Sequence, residues 1–195
     1  MAITVAFPAY AHHPFGGTTP TNAIEGFLSG LGHPVIGIDH FVFVIAAGLV
    51  GVLVQRGAIV PLAFVTASLF GTGLHLQLVN LPVPETVVSA SVLLFGLILA
   101  LGRKSNLAVV AGLGAIAGIF HGYAYGEAIV GAEMTPLVAY LLGFASIQLA
   151  ISFAAGAIAN RVMKRDRAKG LLNLRFVGFA ICGSGFAFLS STILG

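Results

Sequence analysis

The 195-residue sequence contains very few charged residues. Asp, Glu, Lys and Arg together make up 8% of it, whereas apolar residue types make up 58%. A soluble domain normally carries about 25% charged residues, and a disordered chain needs low hydrophobicity together with high net charge. The composition therefore excludes both classes and is typical of a protein embedded in the lipid bilayer.

The sequence also lacks the residues that several common sites require. Its one cysteine, Cys182, lies in an apolar run, so no disulfide and no cysteine-based zinc site can form within the chain. There is no nucleotide-binding P-loop, no His-Glu-x-x-His motif and no Cys-x-x-Cys-His motif. We attribute the net charge of +3 to basic residues that orient the protein in the membrane, so we predict no nucleic-acid partner.

What is present is a series of apolar segments. Residues 1–11 end in an Ala-x-Ala pattern, which we interpret as a signal-peptide remnant or an uncleaved leader. Residues 12–34 are more polar, and Thr21 or Asn22 could cap a short helix there at the membrane interface. Six long apolar segments follow, at 35–54, 57–79, 86–102, 107–130, 136–159 and 176–194. The sequence predicts an all-α polytopic membrane protein, a bundle of six transmembrane helices (35–195) with a short outer N-terminal segment.

The basic residues predict the orientation of this bundle. All nine follow the first, third or fifth apolar segment: Arg56, Arg103, Lys104, Arg161, Lys164, Arg165, Arg167, Lys169 and Arg175. Cytoplasmic loops of membrane proteins are enriched in Lys and Arg. We therefore predict an integral protein of the plasma or inner membrane with both termini on the extracytoplasmic side and with a basic loop over residues 161–175.

With this topology, the six histidines and five of the six carboxylates fall on the outer side. Polar groups within a membrane are costly and usually have partners or a function. One string, from His33 to His40, reads H-x5-D-H and includes Asp39. Seven residues are close to two helical turns, so a continuous helix would place His33 and His40 on one face. Pro34 could break the helix there and change the placement of His33.

A second string surrounds His121. It lies beside a stripe of glycines at positions 114, 118, 122 and 126, a pattern that allows another helix to approach closely. We expect His121 to point into that contact, where Tyr125 could hydrogen-bond it. Glu127 lies about 120° around the helix and is a further candidate ligand. For His75, roles in binding and in packing both remain open.

Imidazole and carboxylate ligands suit first-row ions such as Ni²⁺, Co²⁺, Zn²⁺ or Cu²⁺. The candidate metal residues are His33, Asp39, His40, His121, Glu127 and His75. The ion would be a transported substrate, and we expect no permanent cofactor. The alternative is a purely structural role, in which the polar residues only hydrogen-bond one another across helices.

The two strings resemble those of the HupE/UreJ family of small membrane permeases. The first matches without gaps at His33, Asp39 and His40. The second matches the family's F-H-G-x-A-x-G-x-E-type string at Phe120, His121, Gly122, Ala124 and Gly126. The chain departs from that string at two positions. Glu127 comes one residue before the family's acidic position, and Tyr125 stands where many members have histidine.

The resemblance implies a nickel or cobalt uptake permease rather than an enzyme, with His33, Asp39, His40 and His121 as metal-pathway residues. Two other classes would also place histidines in a membrane bundle. One is a membrane-embedded metalloenzyme with an open zinc position, and the other is a haem-ligating accessory subunit of a redox complex. The glycine stripes are also compatible with a homo-oligomer.

Overall fold

The computed structural model describes residues 19–54 and 56–194, and within these ranges it contains helices and loops but no strand. Seven helices follow one another: α1 (Ala23–Ile36), α2 (Ile38–Leu53), α3 (Ile59–Leu76), α4 (Pro84–Leu101), α5 (Leu107–Gly126), α6 (Met134–Arg165) and α7 (Arg167–Leu194). A 3₁₀ turn over Glu127–Ile129 extends α5. The predicted all-α class is confirmed. The interpretation of residues 1–11 as a leader lies outside the described residues.

Five helices, α3 to α7, are each long and apolar enough to cross a membrane. The chain is thus an integral membrane protein. Helices α1 and α2 meet at an angle of 82° and together could form a sixth, broken span. At 16 residues, α2 is only about 24 Å long, which is shorter than a hydrocarbon core of about 30 Å.

The first predicted span, 35–54, is therefore not one continuous helix. The backbone leaves the helix at Gly37, whose φ of −71° and ψ of 99° are extended. Pro34 lies in the last turn of α1 and lacks the N–H that would bond to the Gly30 carbonyl. This missing bond weakens the end of α1 and favours a break within one turn of the proline.

Helix α1 begins where the sequence indicated. The Asn22 side chain accepts a hydrogen bond from the Glu25 N–H at 3.0 Å and so caps the helix. Helix α1 then lies along the first half of α6, in parallel. Gly26 and Gly30 face the backbone of α6 at Pro136 and Tyr140, with no room for a Cβ atom. The N-terminal segment is thus packed into the bundle along α6.

The other close helix pairs also depend on glycine. The predicted stripe on α5 lies against α3, which runs in parallel, and Gly118 and Gly122 contact the backbone at Phe64 and Ser68. Helix α4 pairs with α7 in antiparallel fashion, where Gly96 meets the backbone of Cys182. Because the glycine stripe of α5 packs against α3 of the same chain, it no longer favours a homo-oligomer. The homo-oligomer stays an untested prediction.

The predicted loop over 161–175 is wrong, because these residues are almost all helical. Helix α6 continues to Arg165, and α7 begins at Arg167. Asp166 alone is extended, with φ −152° and ψ 105°. Its Oδ1 accepts a hydrogen bond from the Lys169 N–H at 3.0 Å, which caps α7. Hydropathy predicts where the apolar part of a span ends. Lys, Arg, Ala and Leu are good helix formers, so the helix can continue beyond that point.

Candidate functional site

Three histidines that are distant in the sequence lie together inside the bundle. His33 comes from the end of α1, His40 from the start of α2 and His121 from α5. The His33 and His40 ring centroids are 6.2 Å apart, and those of His40 and His121 are 4.9 Å apart. The three side chains are 3%, 5% and 0% exposed. We call these three residues the histidine cluster.

The break at Gly37 is what brings His33 and His40 together. On a continuous helix their α-carbons would be about 10.5 Å apart along the axis. The break instead turns α2 by 82° relative to α1. Gly37 is buried, and a Cβ atom there would lie 2.7 Å from the Cδ2 atom of the His40 ring. Glycine at this position therefore leaves the space that the His40 ring occupies.

A chain of hydrogen bonds crosses three helices through His121. The Nδ1 atoms of His40 and His121 are 2.8 Å apart, and His121 Nε2 lies 3.0 Å from the Ser91 hydroxyl on α4. Ser91 donates its only proton to the Val88 carbonyl at 2.7 Å. It must therefore accept from His121 Nε2–H. In the neutral imidazole, this leaves the lone pair of His121 on Nδ1, facing His40.

His33 is held by a second set of hydrogen bonds. Its Nδ1 lies 3.3 Å from the hydroxyl of Tyr140 on α6. That hydroxyl donates to the Tyr125 carbonyl at 3.0 Å, so it accepts from His33 Nδ1–H. The Tyr125 ring packs edge-on against His33, with centroids 5.1 Å apart. Two tyrosines thus fix the orientation of this imidazole.

Asp39 lies in the first turn of α2, next to His40. Its Oδ1 accepts a hydrogen bond from the His40 backbone N–H at 2.8 Å. The carboxylate is half-buried and lies in the first turn, where the helix dipole favours negative charge. Asp39 therefore places one carboxylate beside the histidine cluster and also stabilises the start of the helix that carries His40.

Beneath the histidine cluster the bundle is filled by aromatic side chains. Phe43 packs on His121 with ring centroids 4.5 Å apart and on Phe64 at 4.7 Å. Tyr125 does not bond to His121 as predicted from its spacing, because its hydroxyl donates to Gln148 at 3.4 Å. Gln148 in turn donates to the Phe144 carbonyl at 3.1 Å. On this side, the histidine cluster is thus in contact with closely packed and largely apolar side chains.

The structure places the other two candidate residues differently. His75 lies near the end of α3, where its ring packs on Tyr123 with centroids 4.5 Å apart, and its buried Nδ1 has no hydrogen-bond partner among the described residues. Glu127 is exposed on the 3₁₀ turn that follows α5. Neither residue is joined to the histidine cluster by the hydrogen bonds described above.

Across residues 19–54 and 56–194, no three His, Cys, Asp or Glu side chains form a ready-made metal-ligand group. His121 is instead hydrogen-bonded to His40 and Ser91, and His33 to Tyr140. The arrangement offers several nitrogen donors within a few ångströms. An ion would have to replace some of these hydrogen bonds in order to bind.

Comparison with known proteins agrees with the resemblance seen in the sequence. The family model described as HupE / UreJ protein matches residues 1–188. The chain belongs to the HupE/UreJ family. It is similar to Protein HupE of Rhizobium leguminosarum bv. viciae, with 29% identity over 174 residues, which covers 88% of this chain and 81% of that protein. No solved structure matches.

Two residues of the candidate site were not singled out from the sequence. Ser91 is one of two serines in α4, and only the fold shows that it meets His121. Tyr140 lies in α6, far in sequence from His33. One feature of the sequence could have pointed to both residues. Each is a polar side chain within a predicted transmembrane helix, where such a side chain is expected to have a partner.

Proposed function

We propose that this protein is a permease that carries divalent transition-metal ions, nickel or cobalt, through the histidine cluster. The single observation that carries the proposal is the pairing of His40 and His121 through their Nδ1 atoms at 2.8 Å inside a membrane bundle. The match to the HupE/UreJ family supports a transport role rather than catalysis.

The spacing of the two nitrogens suits an ion of this class. Imidazole nitrogen binds such an ion at about 2.1 Å, so two ligands at a right angle would be about 3.0 Å apart. The observed 2.8 Å between the Nδ1 atoms is close to that value. Binding would then need a rotation of the rings and loss of the shared proton from between them, with no large movement of helices.

His33 and Asp39 would complete the environment of the ion. His33 lies on the other side of the break at Gly37, and the Asp39 carboxylate adds a negative charge beside the histidine cluster. Such a donor set contains no thiolate, so it would bind the ion without trapping it, and conduction requires an ion to leave as well as to enter.

The test is uptake of individual divalent ions into vesicles that contain the purified protein. We expect Ni²⁺ or Co²⁺ to accumulate, and we expect His40→Gln and His121→Gln each to reduce the initial rate at least tenfold. Melting temperatures in detergent would show that both variants still fold. Undiminished uptake by two well-folded variants would remove the histidine cluster from the pathway. Absence of uptake by the native protein for every ion tested would reject the permease proposal itself.

A further inference from the structure

A cavity lined by both basic and apolar side chains lies at the opposite end of the bundle from the histidine cluster. Its volume is about 450 Å³, and it opens where α2 and α4 end and where α6 turns into α7. Four basic residues from three parts of the chain line it: Arg103, Lys104, Lys164 and Arg167. Like charges gathered around one cavity repel one another unless an anion neutralises them.

The chain provides almost no anion for these four cations. Five of its six carboxylates lie in the N-terminal segment, at the start of α2 or α4, or between α5 and α6, at the other end of the helices. The sixth, Asp166, pairs with Lys169 at 3.9 Å, which does not line the cavity. In the described part of the chain, no other salt bridge is present.

The less exposed wall of the cavity is apolar. Val52 and Leu53 at the end of α2, Met163 on α6 and Leu171 on α7 contribute to it, and all four side chains are half-buried. The basic side chains are exposed at the rim. A cavity with a cationic rim and an apolar wall matches an amphiphile whose head is anionic, better than it matches a small hydrated ion.

We propose that this cavity binds the phosphate-bearing headgroup of an anionic membrane lipid. The phosphate would lie among Lys164, Arg167 and the Arg103–Lys104 pair, and the glycerol and upper acyl chains would lie against Met163 and Leu171. Arginine and lysine both bind phosphate oxygens through charge-assisted hydrogen bonds. A bound lipid would also hold the α6–α7 hairpin to the end of α4.

The inference does not depend on metal transport. It also bears on transport, however, because a divalent cation leaving the bundle at this end would meet four positive charges. An anionic headgroup in the cavity would neutralise them. Lipid binding to the purified protein can be measured without any transport assay, so the two proposals can fail separately.

The test is equilibrium binding of spin-labelled phosphatidylglycerol and phosphatidylcholine to the full chain in neutral detergent. Lys164→Gln with Arg167→Gln removes two cations from the cavity. Arg161→Gln with Arg165→Gln is the matched control, since it removes two cations of α6 that do not line the cavity. We expect the native protein to prefer phosphatidylglycerol, and the cavity variant to bind it roughly tenfold more weakly. The control should bind like the native protein.

Inorganic phosphate serves as the competitor that separates a lipid from a free anion. We expect millimolar phosphate to leave bound phosphatidylglycerol in place, because phosphate gains nothing from the apolar wall. Full displacement by phosphate would overturn a lipid site in favour of a simple anion site. Equal losses in the cavity and control variants would also overturn the proposal, as would the absence of a preference for phosphatidylglycerol.

Discussion

At His121, a neighbouring serine determines which ring nitrogen carries the proton. The Ser91 hydroxyl donates its proton to the Val88 carbonyl and accepts a hydrogen bond from His121 Nε2–H. The lone pair of His121 is thereby directed at His40, where we propose that the ion binds. Partners of this kind around metal-ligating histidines orient the ring and fix its tautomer, and their loss commonly costs ten- to a hundredfold in metal affinity.

We therefore expect Ser91→Ala to raise the ion concentration for half-maximal uptake by about tenfold, with little change in the maximal rate. Ser91→Thr, which keeps the hydroxyl, should recover most of the affinity. Ser89→Ala is the matched control, because Ser89 is also buried on α4 but faces Thr192 at 3.4 Å. Concentration dependence of uptake in vesicles measures all three. Identical curves for Ser91→Ala and the native protein would contradict the assigned role.

Gly37 gives a second residue-scale prediction. A methyl group there would lie 2.7 Å from the His40 ring, so Gly37→Ala should push that ring away from His121. The backbone at Gly37 is in a region open to any residue, and for that reason the fold should survive. We expect uptake to fall several-fold with little change in melting temperature. Gly73→Ala is the control, since a Cβ atom there meets nothing within 4 Å. Equal uptake by both variants would argue against the effect.

The sequence predicted that His33 and His40 lie together, but for the wrong reason. The expectation rested on two turns of one helix, whereas the rings meet across a break between two helices. Spacing alone cannot distinguish these cases, because whether the helix continues past Pro34 depends on the packing of α1 against α6. His121 was predicted as a site residue, yet its partner Ser91 comes from α4, and such a contact depends on tertiary structure.

At the scale of elements, glycines set the distances between helices. The stripe on α5 was visible in the sequence as small residues four apart, but its partner was not. The structure identifies α3, which lies so close that the Thr72 hydroxyl donates to the Gly122 carbonyl at 2.8 Å. Phe64 on α3 and His121 on α5 are in turn held with ring centroids 5.4 Å apart. The position of the histidine cluster therefore depends on this helix pair.

We expect Gly122→Ala to destabilise the protein, because the added methyl group would overlap the Ser68 backbone of α3. Overpacking of this kind costs about 1–3 kcal/mol, occasionally more. Gly112→Ala tests the same change on the same helix where a Cβ atom meets nothing within 4 Å, and it should leave stability unchanged or slightly raised. Thermal unfolding in detergent compares the two. A native-like melting temperature for Gly122→Ala would show that α3 and α5 are not so closely packed.

For the whole molecule, charge is distributed unequally between the two ends of the bundle, and from this we predict which end faces the cytoplasm. The basic residues lie at the ends of α2, α4 and α6 and at the start of α7, whereas the histidine cluster lies toward the other end. Hydropathy predicted the five apolar spans α3 to α7 and a sixth segment that is broken between α1 and α2, whereas the orientation inferred from charge stays a prediction. Hydropathy and charge could not predict that α1 joins the bundle, because its packing on α6 depends on contacts at individual glycines such as Gly26 and Gly30.

The orientation can be measured with single cysteines in a Cys182→Ala background. Glu133 is exposed just before α6, and Ala168 is exposed at the start of α7, among the basic residues. Each is replaced by cysteine in turn. The positive-inside rule predicts that a membrane-impermeant maleimide labels Glu133→Cys on intact cells but labels Ala168→Cys only after permeabilisation. The opposite pattern would place the histidine cluster on the cytoplasmic side and the cavity lined by Arg103, Lys104, Lys164 and Arg167 on the outer side. A metal entering from outside would then meet the basic residues first, and the site would have to serve export instead of uptake.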